Sequence, residues 1–289
     1  MNNLLMLTTA ILCLANQVSA QVPKRYDVVG PVRSLLQETA KLTEVGEQIT
    51  EGPRVVIQTA TFGTHGRMTD QVMNNPDGTL KWKASWNQRS TYDARGRETE
   101  RVSFNASDEV TSRTVFVYNN DGNVTKSVTY GADGEITSFQ DTFEYDENGK
   151  KIRADYFNAD GLTREYDIFV YDSRGFLIEV THSGNTLQHR DSYKYDDRGN
   201  KTEWSAYDKS GKRGLKVCWG YSDDSRGIPT SFLRYDNGDK VLSKEVYTYE
   251  FDSHGNWIKS KTRREVYAGQ APAIENEMTY RTIIYRQPQ

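Results

Sequence analysis

KYDDRGNKTEWSAYDKSG, residues 194–211, holds two aromatic-plus-acid pairs, Tyr195-Asp196 and Tyr207-Asp208, and a glycine follows each Asp three residues later. Between Gly199 and Tyr207 the seven residues Asn200 to Ala206 alternate loosely in character. Such a stretch is either a ligand site or a structural unit used many times. Alignment on the glycine favours the second reading. FGTHG ends at Gly66, YDARG at Gly96, YNNDG at Gly122, YDENG at Gly149, YDSRG at Gly175, YDDRG at Gly199, YSDDSRG at Gly227 and FDSHG at Gly255. The copies lie 24 to 30 residues apart, and this near-constant period is the mark of a repeat architecture. A second turn signal falls near the middle of most units, at Gly78, Gly134, Gly161, Gly184, Gly211 and Gly238; in the Gly96 unit NASDE takes its place without a glycine. The underlying element is a half-repeat of about 13 residues.

Between these turns the chain reads as strand. After Gly122, Val124, Val128 and Tyr130 share one face of an extended segment, and Thr125, Ser127 and Thr129 the other. Tyr166, Ile168 and Val170 alternate with Phe169 and Tyr171, which predicts a strand covered on both faces. Short runs rich in Tyr, Phe, Val, Thr and Trp, separated by Asp/Asn-Gly turns, predict successive antiparallel hairpins. Glycine reaches the positive φ of a tight turn, and Asp or Asn hydrogen-bonds the turn's own backbone. Tyr195, Asp196 and Gly199 are therefore expected to be turn-making parts. Helical periodicity is nearly confined to SLLQETAKLTEVGEQ from Ser34, where a short helix and an irregular strand compete.

These units resemble the YD repeats of rearrangement-hotspot proteins and teneurins. FEYDENGKKI (143–152), FVYDSRGFLI (169–178), YKYDDRGNKT (193–202) and FVYNNDGNVT (116–125) carry the resemblance most closely. It implies an all-β chain whose antiparallel β-hairpin repeats form a curled or spiral sheet, shell-like in the large members, and it associates the repeats with carbohydrate. Eight units give about 16 strands, or ~75 Å of sheet, enough for a turn or so of such a coil. The expected organisation is a signal peptide at 1–20, an N-terminal capping segment at 21–55, the repeats at 56–267 and a C-terminal loop and strand at 268–289.

MNNLLMLTTAILCLANQVSA places an apolar run, Leu4 to Ala15, before Val18-Ser19-Ala20, a small-residue cleavage pattern. The run is shorter than the roughly 20 residues a transmembrane helix needs, so the expectation is export by a cleaved leader to the periplasm, cell surface or exterior, without a membrane span. Cleavage removes Cys13 and leaves Cys218 alone, so stability is expected from packing and backbone pairing. A net charge of -3, from 37 basic and 40 acidic residues, supplies no field for nucleic acid. Hydrophobic content is low at 36%, but 18 tyrosines and 10 phenylalanines set the chain apart from a disordered one.

Residues for chemistry are sparse. No nucleophile motif, phosphate-binding loop or dinucleotide fingerprint occurs, and the acidic residues are mostly turn punctuation, so no catalytic residue and no cofactor is assigned. His65 and His254 precede turn glycines and read as solvent-facing. His182 and His189 flank a turn in THSGNTLQHRD with Asp191 behind, yet no further metal ligand stands at standard spacing, so exposed hairpin polars are the expectation. The candidate ligand-binding aromatics are Trp82, Trp86, Trp204, Trp219 and Trp257: exposed, they make a platform for a carbohydrate or an envelope protein; buried, they fill the sheet's inner face. The function expected from sequence is a noncatalytic binding module; the alternative is a structural fragment that pairs with a partner chain through a sheet edge, and a third reading, a glycan-active enzyme, requires two inward carboxylates in a cleft.

Overall fold

A computed structural model describes residues 28–287 except 47, 64–67, 86, 106, 158–163, 185–187, 225 and 270. The leader, the turn at Gly66, the turn at Gly161 and Trp86 lie outside the described residues.

Among the described residues, twenty strands form one sheet. The first six are β1 (Val32–Val45), β2 (Gln48–Glu51), β3 (Val55–Phe62), β4 (Met68–Asn74), β5 (Leu80–Ser85) and β6 (Asn87–Tyr92). There follow β7 (Glu98–Phe104), β8 (Val110–Tyr118), β9 (Val124–Gly131), β10 (Ile136–Tyr145), β11 (Lys151–Phe157), β12 (Arg164–Tyr171) and β13 (Leu177–Ser183). The last are β14 (Gln188–Tyr195), β15 (Lys201–Asp208), β16 (Arg213–Tyr221), β17 (Pro229–Tyr235), β18 (Val241–Phe251), β19 (Trp257–Val266) and β20 (Ala273–Tyr285).

Each repeat is locked by its own motif residues. In the unit around Gly199, Asp196 N–H donates to the Asn200 carbonyl at 3.0 Å and Gly199 N–H to the Asp196 carbonyl at 3.1 Å, which defines a five-residue hairpin loop. Asp196 Oδ1 accepts from the amides of Arg198 and Asn200 at 3.0 and 2.8 Å. The same pair of side-chain bonds recurs at Asp93, Asp146, Asp172, Asp208 and Asp252. Charge-assisted acceptance favours the ionised carboxylate. At Asp93 the Arg97 amide, followed by its guanidinium, holds the carboxyl below its ordinary range.

The motif tyrosine ties one unit to the last. Tyr118 Oη donates to the Glu98 carbonyl, Tyr145 to Val124, Tyr171 to Lys151, Tyr195 to Leu177 and Tyr221 to Lys201, and in the last unit, whose motif aromatic is Phe251, Tyr249 two residues earlier donates to Pro229, all within 2.6–2.9 Å. In every case the accepting residue stands two positions after the preceding unit's turn glycine. A register shift follows at once: Tyr195 pairs with Lys201 but Lys194 with Glu203, which leaves Thr202 as the extra residue of a β-bulge. Equivalent shifts flank Tyr92, Tyr118, Tyr145, Tyr171, Tyr221 and Phe251. These bulges explain why alternation in the sequence is only loose, because each one reverses the facing pattern just past the turn.

The glycine-less turn at Asn105 keeps the geometry by placing Asp108 at φ 64°. Gly199 has φ 82°, and a Cβ there would meet Phe176 Cζ at 2.8 Å; Gly211, at φ 78°, has nothing within 4 Å. Gly211→Ala is therefore expected to cost about 1 kcal/mol from backbone strain alone. Gly199→Ala is expected to cost about 2 kcal/mol, since Phe176 is stacked on Tyr195 at 5.0 Å and cannot move away freely. Paired urea titrations check the order; equal losses would contradict the close approach.

β1 resolves the helix-or-strand competition at Ser34 in favour of strand. It pairs with β20 from Val32 to Leu42 on one side and with β3 from Ser34 to Thr39 on the other, and β2 continues that second side from Leu42 to Val45. Pairing on both sides overrides the helix propensity of this segment. The ladder runs from β6 through β7 and on to β19 and β20, then to β1, β3, β4 and β5. β5 and β6 flank Trp86; β5 pairs with β4 and β6 with β7.

The expectation of a curled or spiral shell is corrected by this pairing. A spiral leaves its first and last strands apart and stacks later turns over earlier ones. Here β1 lies between β20 and β3, and every extensive strand contact is between ladder neighbours. The result is a single-layer antiparallel sheet, not a strongly curled coil. A second correction follows from the same fact. With no layer packed over it, the Ile168 face of β12 is open: Ile168 and Val170 are 38% and 41% exposed, whereas Phe169 is 3% exposed. The buried side chains gather in small clusters, Val32, Leu35, Ala60 and Phe62 near the chain's ends, and Ala154, Phe169, Leu177 and Val180 on β11 to β13.

Candidate functional site

The second cluster borders a group of half-buried ionisable side chains, His182, His189 and Asp191. Register places it there. Ala154 is opposite Asp167, Asp167 opposite His182, and His182 opposite His189, so these side chains form one row on one face of β11 to β14. Asp191 lies one step along the same face, opposite Val180, and Tyr193 one step further.

His182 stands at the centre. Its Nδ1 donates to Asp167 Oδ1 at 2.6 Å, and its Nε2 is 3.7 Å from Asp191 Oδ2. Asp167 is itself held on its far side by Tyr156, whose Oη donates to Oδ2 at 2.9 Å. The His182 and His189 rings stack with centroids 4.1 Å apart and planes inclined by 20°. Lys201, at the start of β15, lies with its ammonium 4.4 Å from the Tyr193 ring centroid.

The environment sets protonation. Burial pushes the His182 imidazole down, but the Asp167 and Asp191 carboxylates outweigh it and carry the pKa up to about 9. His189 is displaced the other way, by burial and by the charge on His182. Burial lowers Lys201 to about 8, against the pull of Asp191, and burial followed by the Asp191 charge raises the Tyr193 phenol well above its ordinary range. Two buried polar atoms in this group have no hydrogen-bond partner, His189 Nδ1 and Asp191 Oδ1.

The sequence paired His182 with His189 and set Asp191 behind them, and the structure brings these three together. It missed Asp167 and Tyr156, which arrive from β12 and β11 through sheet register. It also expected exposed hairpin polars, whereas His182, His189 and Asp191 are all half-buried. The only trace of Asp167 in the sequence is an acid flanked by aromatic and apolar residues in REYDIFVY, an unusual place for a carboxylate on a packed face. His254 is exposed, and its ring stacks on Tyr285 with centroids 4.0 Å apart.

Trp204 borders this group, opposite Tyr193, whereas Trp219 and Trp257 lie elsewhere on the sheet. Trp257 is 2% exposed, with the Arg281 guanidinium 3.7 Å from its ring centroid and Tyr249 beside it at 5.8 Å. Trp204 is half-buried opposite Tyr193 and Val217, and Trp219 is half-buried with an edge contact to Phe232 at 6.1 Å. Trp82 pairs with Met73 on β5, and Trp86 is outside the described residues. Cys218 is a free, half-buried thiol that burial pushes up.

No family model matches the chain, and no curated protein does. Among solved structures, a porin-like protein from Bacteroides uniformis is similar at 13% identity and a TM-score of 0.41, over 89% of this chain and 99% of that one. A porin-like protein from Bacteroides vulgatus is similar at 9% identity and 0.26, over 86% and 97%. The Photorhabdus luminescens Tc holotoxin pore is similar at 12% identity and 0.28; 81% of this chain is covered, but it spans only 15% of the toxin chain. These are distant, low-identity likenesses.

Proposed function

We propose that this chain is an exported, noncatalytic scaffold of YD-type repeats that engages a partner protein of the cell envelope by strand pairing. One observation carries the reading: the residues that recur from unit to unit are consumed by the fold. The motif tyrosines are tied to the preceding unit's backbone and the motif aspartates to their own turn amides, so the repeat encodes a surface to be built rather than a site to be filled. Export rests on the leader-like residues 1–20.

A free edge is present for pairing. Among the described residues the backbone of β2 pairs as a strand with β1 alone, and its four residues are all exposed, Ile49 at 52%, with the Glu51 side chain accepting from Tyr280 on β20. Val45, at the tip of the same hairpin, is 74% exposed. An unpaired strand edge is a template for another chain. Carbohydrate is the competing partner, and the half-buried Trp204 and Trp219 are the aromatics that could meet it.

The test is cross-linking and light scattering of the untagged mature protein with an envelope extract, alongside a glycan array. Formation of a defined protein complex that Ile49→Lys abolishes, with the circular dichroism of the isolated chain unchanged, is the expected result. A particle that stays monomeric and captures nothing overturns the reading. Glycan binding lost on Trp219→Ala would transfer the function to carbohydrate recognition.

A further inference from the structure

Three side chains on the β13–β14 hairpin converge on one point of the sheet. His182, His189 and Asp191 each offer a ligand atom, and these atoms lie within 4.8 Å of one another. Two ligands 2.0–2.1 Å from a tetrahedral ion stand about 3.3 Å apart. The 3.7 Å between His182 Nε2 and Asp191 Oδ2 is already close to that value. Binding one ion requires the two imidazoles to turn out of their stack, in which the ring planes are inclined by only 20°, so that their in-plane lone pairs meet at one point.

The surroundings have the form of a ligand shell. Asp167 accepts a hydrogen bond from His182 Nδ1, which directs Nε2 toward the site, where an ion would displace its proton, and Tyr156 in turn orients Asp167. A carboxylate behind a ligating histidine is the usual second shell of a zinc site. The unsatisfied atoms point the same way. His189 Nδ1 and Asp191 Oδ1 are shielded from solvent with no partner, and buried polar atoms without partners are rare enough to need an explanation. A cation bound among them supplies one.

We propose that His182, His189 and Asp191 bind one divalent transition-metal ion of the zinc class, with Asp167 as the positioning residue for His182 and a fourth coordination position left open. Two imidazoles and a carboxylate suit zinc better than calcium or magnesium, which take all-oxygen shells. The ion would staple β13 to β14 and act through His182 on β12, so its role is to stiffen the scaffold at this hairpin. This inference is independent of the strand-pairing reading, since it concerns a different part of the sheet.

The experiment is zinc titration of the untagged, metal-stripped mature protein by calorimetry, followed by cobalt substitution and its visible spectrum. One ion per chain is expected, with the intense absorption of a tetrahedral cobalt site. His189→Gln is expected to weaken binding by at least about tenfold and Asp167→Asn by about 10- to 100-fold. His254→Gln leaves binding unchanged. Because the Asp167 variant also loses a structural hydrogen bond, imidazole nitrogen NMR of the wild-type protein provides a readout free of folding: zinc is to shift His182 and His189 and leave His254 in place. Absence of stoichiometric binding, or shifts at His254 or His65 instead, overturns the proposal.

Discussion

Trp257→Ala is expected to destabilise the protein by about 3–5 kcal/mol, the range for deleting a fully buried large aromatic. Trp257 is 2% exposed and opens β19 opposite Phe251. Its ring carries Arg281, itself 5% exposed, and packs near Tyr249, so the substitution removes contacts that join β18, β19 and β20. Arg281 would then be a buried cation deprived of the aromatic face on which it lies. Trp257→Phe keeps that face and is expected to lose less than half as much. Urea unfolding followed by circular dichroism measures both. A loss under about 1 kcal/mol for the alanine variant would place the ring at the surface and reopen its use as a binding platform.

The second large effect is a pH dependence centred on His182. In the folded protein its pKa is about 9, against 6.5 for the free group. A base whose folded pKa is raised gives stability that is complete below the unfolded value and disappears as pH rises through the folded one. Lifting His182 from 6.5 to about 9 is worth about 2–3 kcal/mol after allowance for residual solvent contact. Metal-free wild-type protein is therefore expected to lose that much stability, relative to His182→Gln, between pH 6.5 and 9. Lys201, lowered to about 8, works in the opposite direction: its neutral folded form is favoured as pH climbs from 8 toward 10.5. Comparison with the variant removes that contribution, because both proteins share it. Parallel stability curves for the two proteins across this window would show that His182 does not carry the charge its partners hold in place.

How much of this was legible in the sequence depends on which contacts are local. The turn chemistry was, because Asp196, Gly199 and Asn200 act within five residues of one another. The strand nature of the segments between turns was legible too, though not which side chain faces which way. The bulge residue at Thr202 and its equivalents have no composition signal, and each one shifts the facing pattern by a residue. The long-range pairings were not legible. Tyr195 bonds a carbonyl 18 residues upstream and Asn256 Nδ2 donates to the carbonyl of Val29, 227 residues away. Nothing in SLLQETAKLTEV announces that it will pair on both sides, since its helix propensity is overruled only by neighbours that are distant in sequence. The same limit applied to the histidine cluster. His182, His189 and Asp191 share one hairpin and could be grouped by eye, but Asp167 and Tyr156 meet them only through the β11–β12–β13 register.

The central claim is that the N-terminal strand joins the last hairpin of the repeat series to its first. β1 makes backbone pairs with β20 and with β3, and Asn256 clasps Val29 with bonds of 2.6 and 2.8 Å just before it. Hydrogen–deuterium exchange of residues 32–42 tests this most directly. The structure predicts that these amides exchange as slowly as those of β12 to β15, because the segment pairs with β20 along its length and Ser34 to Thr39 pair with β3 as well. Exchange of the segment at the rate of an unprotected peptide, while β12 to β15 remain protected, would contradict it.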